Sequence, residues 1–242
     1  MTAKPDHAMV LAAGLGKRMR PITDTLPKPL VRVAGKTLLD WGLDSLERAG
    51  IKRAVVNVHH LPDQIINHLK GRTSPQIVIS DEREELLDSA GGIVKALPSL
   101  GDKPFYILNA DTFWMDAEVP DLELLSLAWR EDRMDILLML ASLEQATGHT
   151  GGTDFLMDGE GRLRRSGGDP AGLIYAGVAI ISPTLFAAAK ARPHSLNQYF
   201  NDAIAAGRLF GIQMKGSWIT VGTPDAIEPA EATVLKAGGA KA

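Results

Sequence analysis

An apolar segment, Ala8 to Ala13, runs directly into Gly14-Leu15-Gly16-Lys17-Arg18-Met19-Arg20-Pro21, and Pro27-Lys28-Pro29-Leu30 follows closely. A strand that ends in a glycine-rich turn carrying cations points to an α/β sheet with a ligand beyond the carboxyl end of that strand. Gly14 and Gly16 permit positive φ and let backbone N–H groups approach a ligand closely. Such a turn, entering a helix N-terminus, makes a concave site for phosphate oxygens. Lys17, Arg18 and Arg20 add positive charge, and arginine can grip a phosphate bidentately. The prolines bias Leu26 and Lys28 toward extended backbone, which aims the lysine ammonium at small ordering cost. The pattern predicts a polyphosphate cradle made by Leu11, Ala12, Ala13, Gly14, Gly16, Lys17 and Arg18, with Lys28 as a separately held second cation.

Two common phosphate loops do not fit. A dinucleotide fingerprint requires a third glycine where this chain has Met19, and a Walker A loop requires Ser or Thr where it has Arg18.

The N-terminal run resembles the signature of the sugar-1-phosphate nucleotidylyltransferases, approximately LxxGxGxRM/LxPxTxxxPKPL. Leu11, Gly14, Gly16, Arg18, Met19, Pro21, Thr23, Pro27, Lys28, Pro29 and Leu30 stand in register with it. The resemblance implies a nucleoside triphosphate and a sugar 1-phosphate as substrates, Mg2+ as cofactor, and release of pyrophosphate. It also implies a Rossmann-like, doubly wound α/β fold with a mainly parallel sheet, of the nucleotide-diphospho-sugar transferase type. Residues 1–237 are expected to form one domain and residues 238–242 a disordered tail. The left-handed β-helix that many relatives carry at the C-terminus is expected to be absent.

Composition narrows the class further. The chain has 242 residues, 45% hydrophobic and 23% charged, enough to bury a substantial core without disulfides. It contains no cysteine, which excludes a disulfide framework or thiolate metal site and agrees with a reducing cytoplasm. No secretory h-region and no apolar run of spanning length occur, so neither export nor membrane insertion is expected. A net charge of −3 argues against broad nucleic-acid binding. A cytoplasmic monomer or small homo-oligomer is expected.

Apolar runs alternating with helical patterns predict βαβ units in the first half. Thr37 and Asp40 resemble a capping box opening a helix that buries Leu39, Leu43 and Leu46 and stops at Gly50. Further strands are expected at 53–58, 76–79, 105–108, 135–141, 153–157 and 174–181. Helices are expected from Pro62, over 91–97 and 121–130, from Ser195 to near Gly207, and from Thr223-Pro224 onward. Asp158-Gly159-Glu160-Gly161 reads as a hairpin turn.

Asn109-Ala110-Asp111 ends an apolar strand. A carboxylate there, near a phosphate loop, suits Mg2+, which prefers hard oxygen donors. The strand-end dipeptide also matches the family's, which favours Asp111 as the metal ligand, and Asn109 is expected to donate to the sugar phosphate or a sugar hydroxyl. A third segment, Trp218-Ile219-Thr220-Val221-Gly222-Thr223-Pro224, resembles the family's WxDxGTP, whose Asp is a second metal ligand. Thr220 stands in its place, which also keeps open a nucleotide-sugar-binding regulator without turnover. His59 and His60 read as strand-end polar residues.

For the base, Ser89 in Leu87-Asp88-Ser89-Ala90-Gly91-Gly92 is the candidate reader of a pyrimidine edge, with Glu82 second. For the sugar, Asp154, Tyr175 and Gly177 are the candidates, with Tyr175 alternatively a core aromatic whose hydroxyl is satisfied. By the resemblance, Arg18 steadies the departing pyrophosphate, Lys28 draws the two phosphates together and Asp111 carries Mg2+. Within the family, the short chain and the DSAGGI segment resemble the branch that joins UTP to N-acetylmuramate α-1-phosphate in cell-wall sugar recycling. Mannose- and heptose-phosphate guanylyltransferases share these features and remain the alternative.

Overall fold

A computed structural model describes residues 4–239. Seven strands form the central sheet, in spatial order Leu209–Gln213, Ile136–Ala141, Ile174–Ile181, Phe105–Asn109, His7–Leu11, Arg53–Val58 and Gln76–Asp81. Six run the same way, and Ile174–Ile181 is antiparallel to both neighbours. This is the expected doubly wound, mainly parallel α/β sheet. Helices cover both faces, so each central strand is buried twice and reads as a continuous apolar run. Ala8 and Val10 pack with Leu39, Leu43 and Leu46 on one side, while Met9 packs with Ala90, Ile93 and Ala96 on the other. No helix among the described residues is long and apolar enough to cross a membrane.

A small second sheet joins Thr112–Met115, Ser217–Thr220 and Ala146–Thr147. Met19, Val31, Leu38, Phe113, Ile219 and Val221 form its core. This packing draws the WITVGTP segment against the carboxyl edge of the main sheet, where the Val221 amide donates to the Asp111 carbonyl at 3.2 Å.

Several local expectations change in the folded chain. The glycine turn enters only a short 3-10 turn, Lys17–Met19, so no helix dipole stands behind it. Lys28 begins another 3-10 turn, Lys28–Leu30, in place of extended backbone. There the amides of Leu30 and Val31 donate to Pro27 and Lys28 carbonyls, which outweighs the bias set by Pro29. The Thr37 hydroxyl accepts the Asp40 amide at 3.1 Å, but the Asp40 carboxylate accepts a hydrogen bond from that hydroxyl at 2.7 Å instead of returning to the Thr37 amide. His68 and Arg72 share the same carboxylate, which explains why half of the capping box is missing.

The third helix spans Asp88–Leu100, a turn longer at each end than expected, with Pro98 inside its last turn. The fourth ends at Ala128, because Trp129 turns extended to bury its ring. The strand expected over 153–157 starts at Phe155, and the turn at 158–161 closes it as expected. Thr223-Pro224 opens a 3-10 turn, and the last helix, Ile227–Gly239, takes in Gly238 and Gly239. Residues 240–242 of the expected tail lie outside the described residues.

One buried polar chain ties three strand ends together. Asn57, 2% exposed, accepts the Ala12 amide on Oδ1 at 2.7 Å and donates from Nδ2 to Glu82 Oε1 at 2.8 Å. The other Glu82 oxygen accepts the Leu87 amide at 3.1 Å. Buried donors and acceptors cost most when one partner is removed. Asn57→Ala, which leaves both Ala12 N–H and a Glu82 oxygen unsatisfied, should destabilise the fold by roughly 1–3 kcal/mol. Urea unfolding would show this as a lower midpoint at unchanged slope; an unchanged midpoint would show that the amide holds nothing.

Candidate active site

Beyond the carboxyl edge of the sheet lies a cavity of ≈ 460 Å³. Leu11 to Gly14 and Asn109 to Asp111, from the ends of adjacent strands, line it together with Lys28 and Pro29 of the PKPL turn. Leu86, Asp88 and Ser89 close the end beside Asn57. The strand pairing explains the juxtaposition. Leu11 and Asn109 are register partners in adjacent parallel strands, and the Ala110 amide donates to the Leu11 carbonyl at 3.1 Å. Residues nearly a hundred positions apart in sequence therefore face one space.

Lys28 Nζ donates to Asp111 Oδ2 at 2.7 Å. The lysine is buried, 8% exposed, whereas the Asp111 side chain is 38% exposed. The lysine stem is packed under the glycine turn, and the residue lines the cavity. Gly16 explains the packing. Its φ is +62°, and a Cβ there would lie 2.8 Å from Thr23 Cγ2 and 3.1 Å from Lys28 Cβ. Thr23 Oγ1 in turn donates to the Gly16 carbonyl at 2.9 Å.

Lys17 and Arg18 are exposed and do not line the cavity. The Arg18 guanidinium instead lies against Gly222, where a Cβ would approach Nη1 to 3.4 Å. The glycine turn and the WITVGTP segment therefore meet through Arg18. Thr220 is half-buried and pairs with Thr112 in the small sheet. No group of three or more His, Cys, Asp or Glu side chains placed to hold a metal occurs among the described residues. Asp111 accepts Lys28 on Oδ2, and its Oδ1 has no hydrogen-bond partner among the described residues.

Glu82 is displaced from the role given to it by sequence. It is 1% exposed, does not line the cavity, and spends its carboxylate on Asn57 and the Leu87 amide. Ser89 does line the cavity, and its Oγ accepts the Leu196 amide at 2.8 Å, which leaves the hydroxyl proton to donate. Asp88, at φ +58°, turns its carboxylate back onto the Ser89 amide at 2.5 Å. His59 and His60 bind the backbone carbonyls of Glu82 and Thr23, which bears out the reading of them as strand-end polar residues.

A second cavity of ≈ 260 Å³ adjoins the first, sharing Leu11, Ser89 and Asn109. Asp154, Phe155, Arg165, Tyr175, Asn197 and Phe200 are among its walls. Asp154 Oδ2 accepts the Tyr175 amide at 2.8 Å. The Tyr175 ring stands edge-on to Phe200 at 5.5 Å, and its hydroxyl is buried without a partner among the described residues. The core alternative for Tyr175 required a satisfied hydroxyl, so that version of it does not hold. Burial, with the nearby Asp154 charge, pushes the phenol well above its usual range. Gly177 does not line either cavity. Its φ is +75°, and a Cβ there would meet Thr112 Cγ2 at 2.5 Å and Asn109 Nδ2 at 3.1 Å. The close approach at Gly177 is made by protein, and it seats Asn109.

Asn57, Asp88 and Arg165 are cavity-lining residues absent from the sequence reading. Asn57 had a visible signal, a single amide in the otherwise apolar end of Arg53–Val58. Arg165 had none, since an arginine on a short hairpin strand looks like any solvated cation.

Residues 7–147 match the nucleotidyl transferase family. The chain is 41% identical over 242 residues to the N-acetylmuramate alpha-1-phosphate uridylyltransferase of Caulobacter vibrioides, covering 98% of this chain and 100% of that one. It is 34% identical to the enzyme of the same name from Neisseria meningitidis serogroup B, covering 93% and 96%. A UDP-glucose pyrophosphorylase complexed with UDP-glucose superposes with a TM-score of 0.77 at 16% identity, covering 96% and 99%, a likeness of fold alone. A strand-end cavity between the glycine turn and Asp111, in a chain so matched, places this protein in the nucleotidyl transferase family.

Proposed function

We propose that this chain joins UTP to N-acetylmuramate α-1-phosphate, giving UDP-N-acetylmuramate and pyrophosphate. The observation that carries the reading is the pair of adjoining cavities, one beside the glycine turn and one beside Asp154 and Tyr175, with Asn109 common to both. A nucleotide in the first and a sugar in the second would bring two phosphates together at Lys28 and Asp111. The names of the two bacterial relatives support the choice of base and sugar.

In the reaction, an oxygen of the sugar 1-phosphate attacks the α-phosphorus of UTP. A new P–O bond forms, the α–β bridging P–O bond breaks, and its electron pair leaves on pyrophosphate. No covalent protein nucleophile is needed, so positioning and charge stabilisation account for the catalysis. Lys28 is the cation between the two phosphates, and its buried stem holds the ammonium in place without further ordering. Arg18, held beside Gly222, steadies the departing pyrophosphate. Backbone amides of Ala13 and Gly14 line the nucleotide, and the free Ser89 hydroxyl proton donates to an acceptor on the uracil edge. Asn109 donates to the sugar phosphate.

Mg2+ fits this donor set in a limited way. Asp111 would hold it through the free Oδ1, with phosphate oxygens and water as further ligands, as Mg2+ sites commonly have. When bound, the ion neutralises charge on the α-phosphate. Thr220 offers only a neutral hydroxyl where a second carboxylate would add affinity.

Pyrophosphate release with UTP and N-acetylmuramate α-1-phosphate tests the reading directly. Preference for GTP with a mannose or heptose 1-phosphate would move the chain to the guanylyltransferase branch, and silence with all pairs would make it a binding protein. Lys28→Met keeps the buried stem and removes the charge, so turnover should fall roughly 100- to 1,000-fold, as for loss of one preorganised donor. Near-wild-type turnover at saturating substrates would remove Lys28 from the chemistry. Calorimetry should show weak Mg2+ binding to the protein alone, and tighter binding to Thr220→Asp. Tight binding to the wild-type protein alone would mean that a carboxylate other than Asp111 serves the ion.

A further inference from the structure

The second cavity carries a cation that the transfer of a nucleotidyl group does not require. Arg165 lies on the short strand Leu163–Arg165, which pairs with Phe155–Met157 and swings over the helix Leu196–Ala205. Its guanidinium sits 4.8 Å above the Phe155 ring and 5.9 Å from that of Phe200. From the helix, Asn201 Oδ1 accepts Nε at 3.0 Å and Nη2 at 2.9 Å, and Asn197 Oδ1 accepts Nη2 at 3.1 Å. The two rings and two amides fix the plane of the fork. Nη1 has no acceptor among the described residues.

Every partner that holds Arg165 is neutral. No carboxylate lies within ion-pair distance of it among the described residues. Asp154 is the acidic side chain in the same cavity, and it acts on Arg165 only through the field between them while Oδ2 serves the Tyr175 amide. Burial, against that field, draws the guanidinium below its usual range, as expected of a cation partly desolvated without a paired anion. Arginine nonetheless stays charged, and a planar fork with free N–H groups is suited to a carboxylate. Arg165 is also the one cationic residue among the walls of this cavity.

We propose that Arg165 selects an acidic sugar, binding a carboxylate carried by the substrate through Nη1 while Asp154 faces the neutral polar groups of the ring. This rests on the reaction proposed above, and it gives that reaction a chemical reason for its sugar. N-acetylmuramate is N-acetylglucosamine with a lactyl ether, and the lactyl carboxylate is the only charge that distinguishes the two 1-phosphates. A cavity holding Asp154 and no compensating cation would repel that group. With Arg165 at its wall, the cavity instead discriminates in favour of it.

The experiment compares wild type, Arg165→Gln and Arg165→Lys in pyrophosphate release from UTP with N-acetylmuramate α-1-phosphate and with N-acetylglucosamine α-1-phosphate. A charge-assisted hydrogen bond contributes enough that its loss should cut the kcat/KM ratio between the two sugars roughly 10- to 100-fold in Arg165→Gln, mainly through KM. Arg165→Lys should restore part of the ratio, since it keeps the charge without the fork. Thermal melting checks that both variants are folded. An unchanged ratio in folded Arg165→Gln, or an equal fall on both sugars, overturns the assignment of Arg165 and leaves the proposed reaction standing. Wild-type protein that turns over neither sugar, or that favours N-acetylglucosamine α-1-phosphate, overturns the proposed reaction and this selectivity with it.

Discussion

The Lys28–Asp111 ion pair, 2.7 Å across the cavity, is the contact on which the arrangement of this site depends. It joins the PKPL turn to the end of the Phe105–Asn109 strand, 83 residues away along the chain. An ammonium taken this far out of water needs an anion, and Asp111 supplies it at a position half open to solvent. In the proposed reaction two phosphates would meet at this pair of opposite charges, and phosphate oxygens would take over the lysine and release the carboxylate toward a cation. The glycine turn serves the same contact, because Gly16 leaves room for the lysine stem beneath it.

Behind that pair, the Asn57 amide keeps the first strand end in place. Ala12, Asn57, Glu82 and Leu87 form a continuous run of hydrogen bonds through a space that water does not reach. The amide could in principle accept and donate in many directions, but burial leaves it one arrangement that satisfies every group. Glu82 acts on the loop at one remove, by fixing the residue that fixes it.

The antiparallel strand Ile174–Ile181 builds the second cavity. Its register against Ile136–Ala141 shifts between Tyr175 and Ala179, so the strand bulges and turns Tyr175 toward Phe200. Gly177 sits inside that bulge with Asn109 against it. A regular strand would have closed this end of the sheet. The irregularity lies beside the second cavity, and Arg165 of the Leu163–Arg165 strand is among its other walls.

The family, the sheet class and several of the residues that line the first cavity were legible in the sequence, because local chemistry marks them. A glycine turn behind an apolar strand, a lysine between prolines and an acid at a strand end each carry their function in a few consecutive residues. Helix ends were less legible. Pro98 and Trp129 follow tertiary packing where local preference points elsewhere. Glu82 and Asn57 are equally buried and bonded to each other, yet of the two Asn57 lines the cavity, and an exposed arginine such as Arg165 has no distinguishing neighbours in sequence. What it faces depends on a helix some thirty residues further on. Sequence determined which groups can bind phosphate, since that is a property of the residue and its immediate backbone. Tertiary structure alone decided which polar groups are satisfied by protein and which remain for a ligand, because hydrogen-bond satisfaction is settled only when distant strands and helices pack.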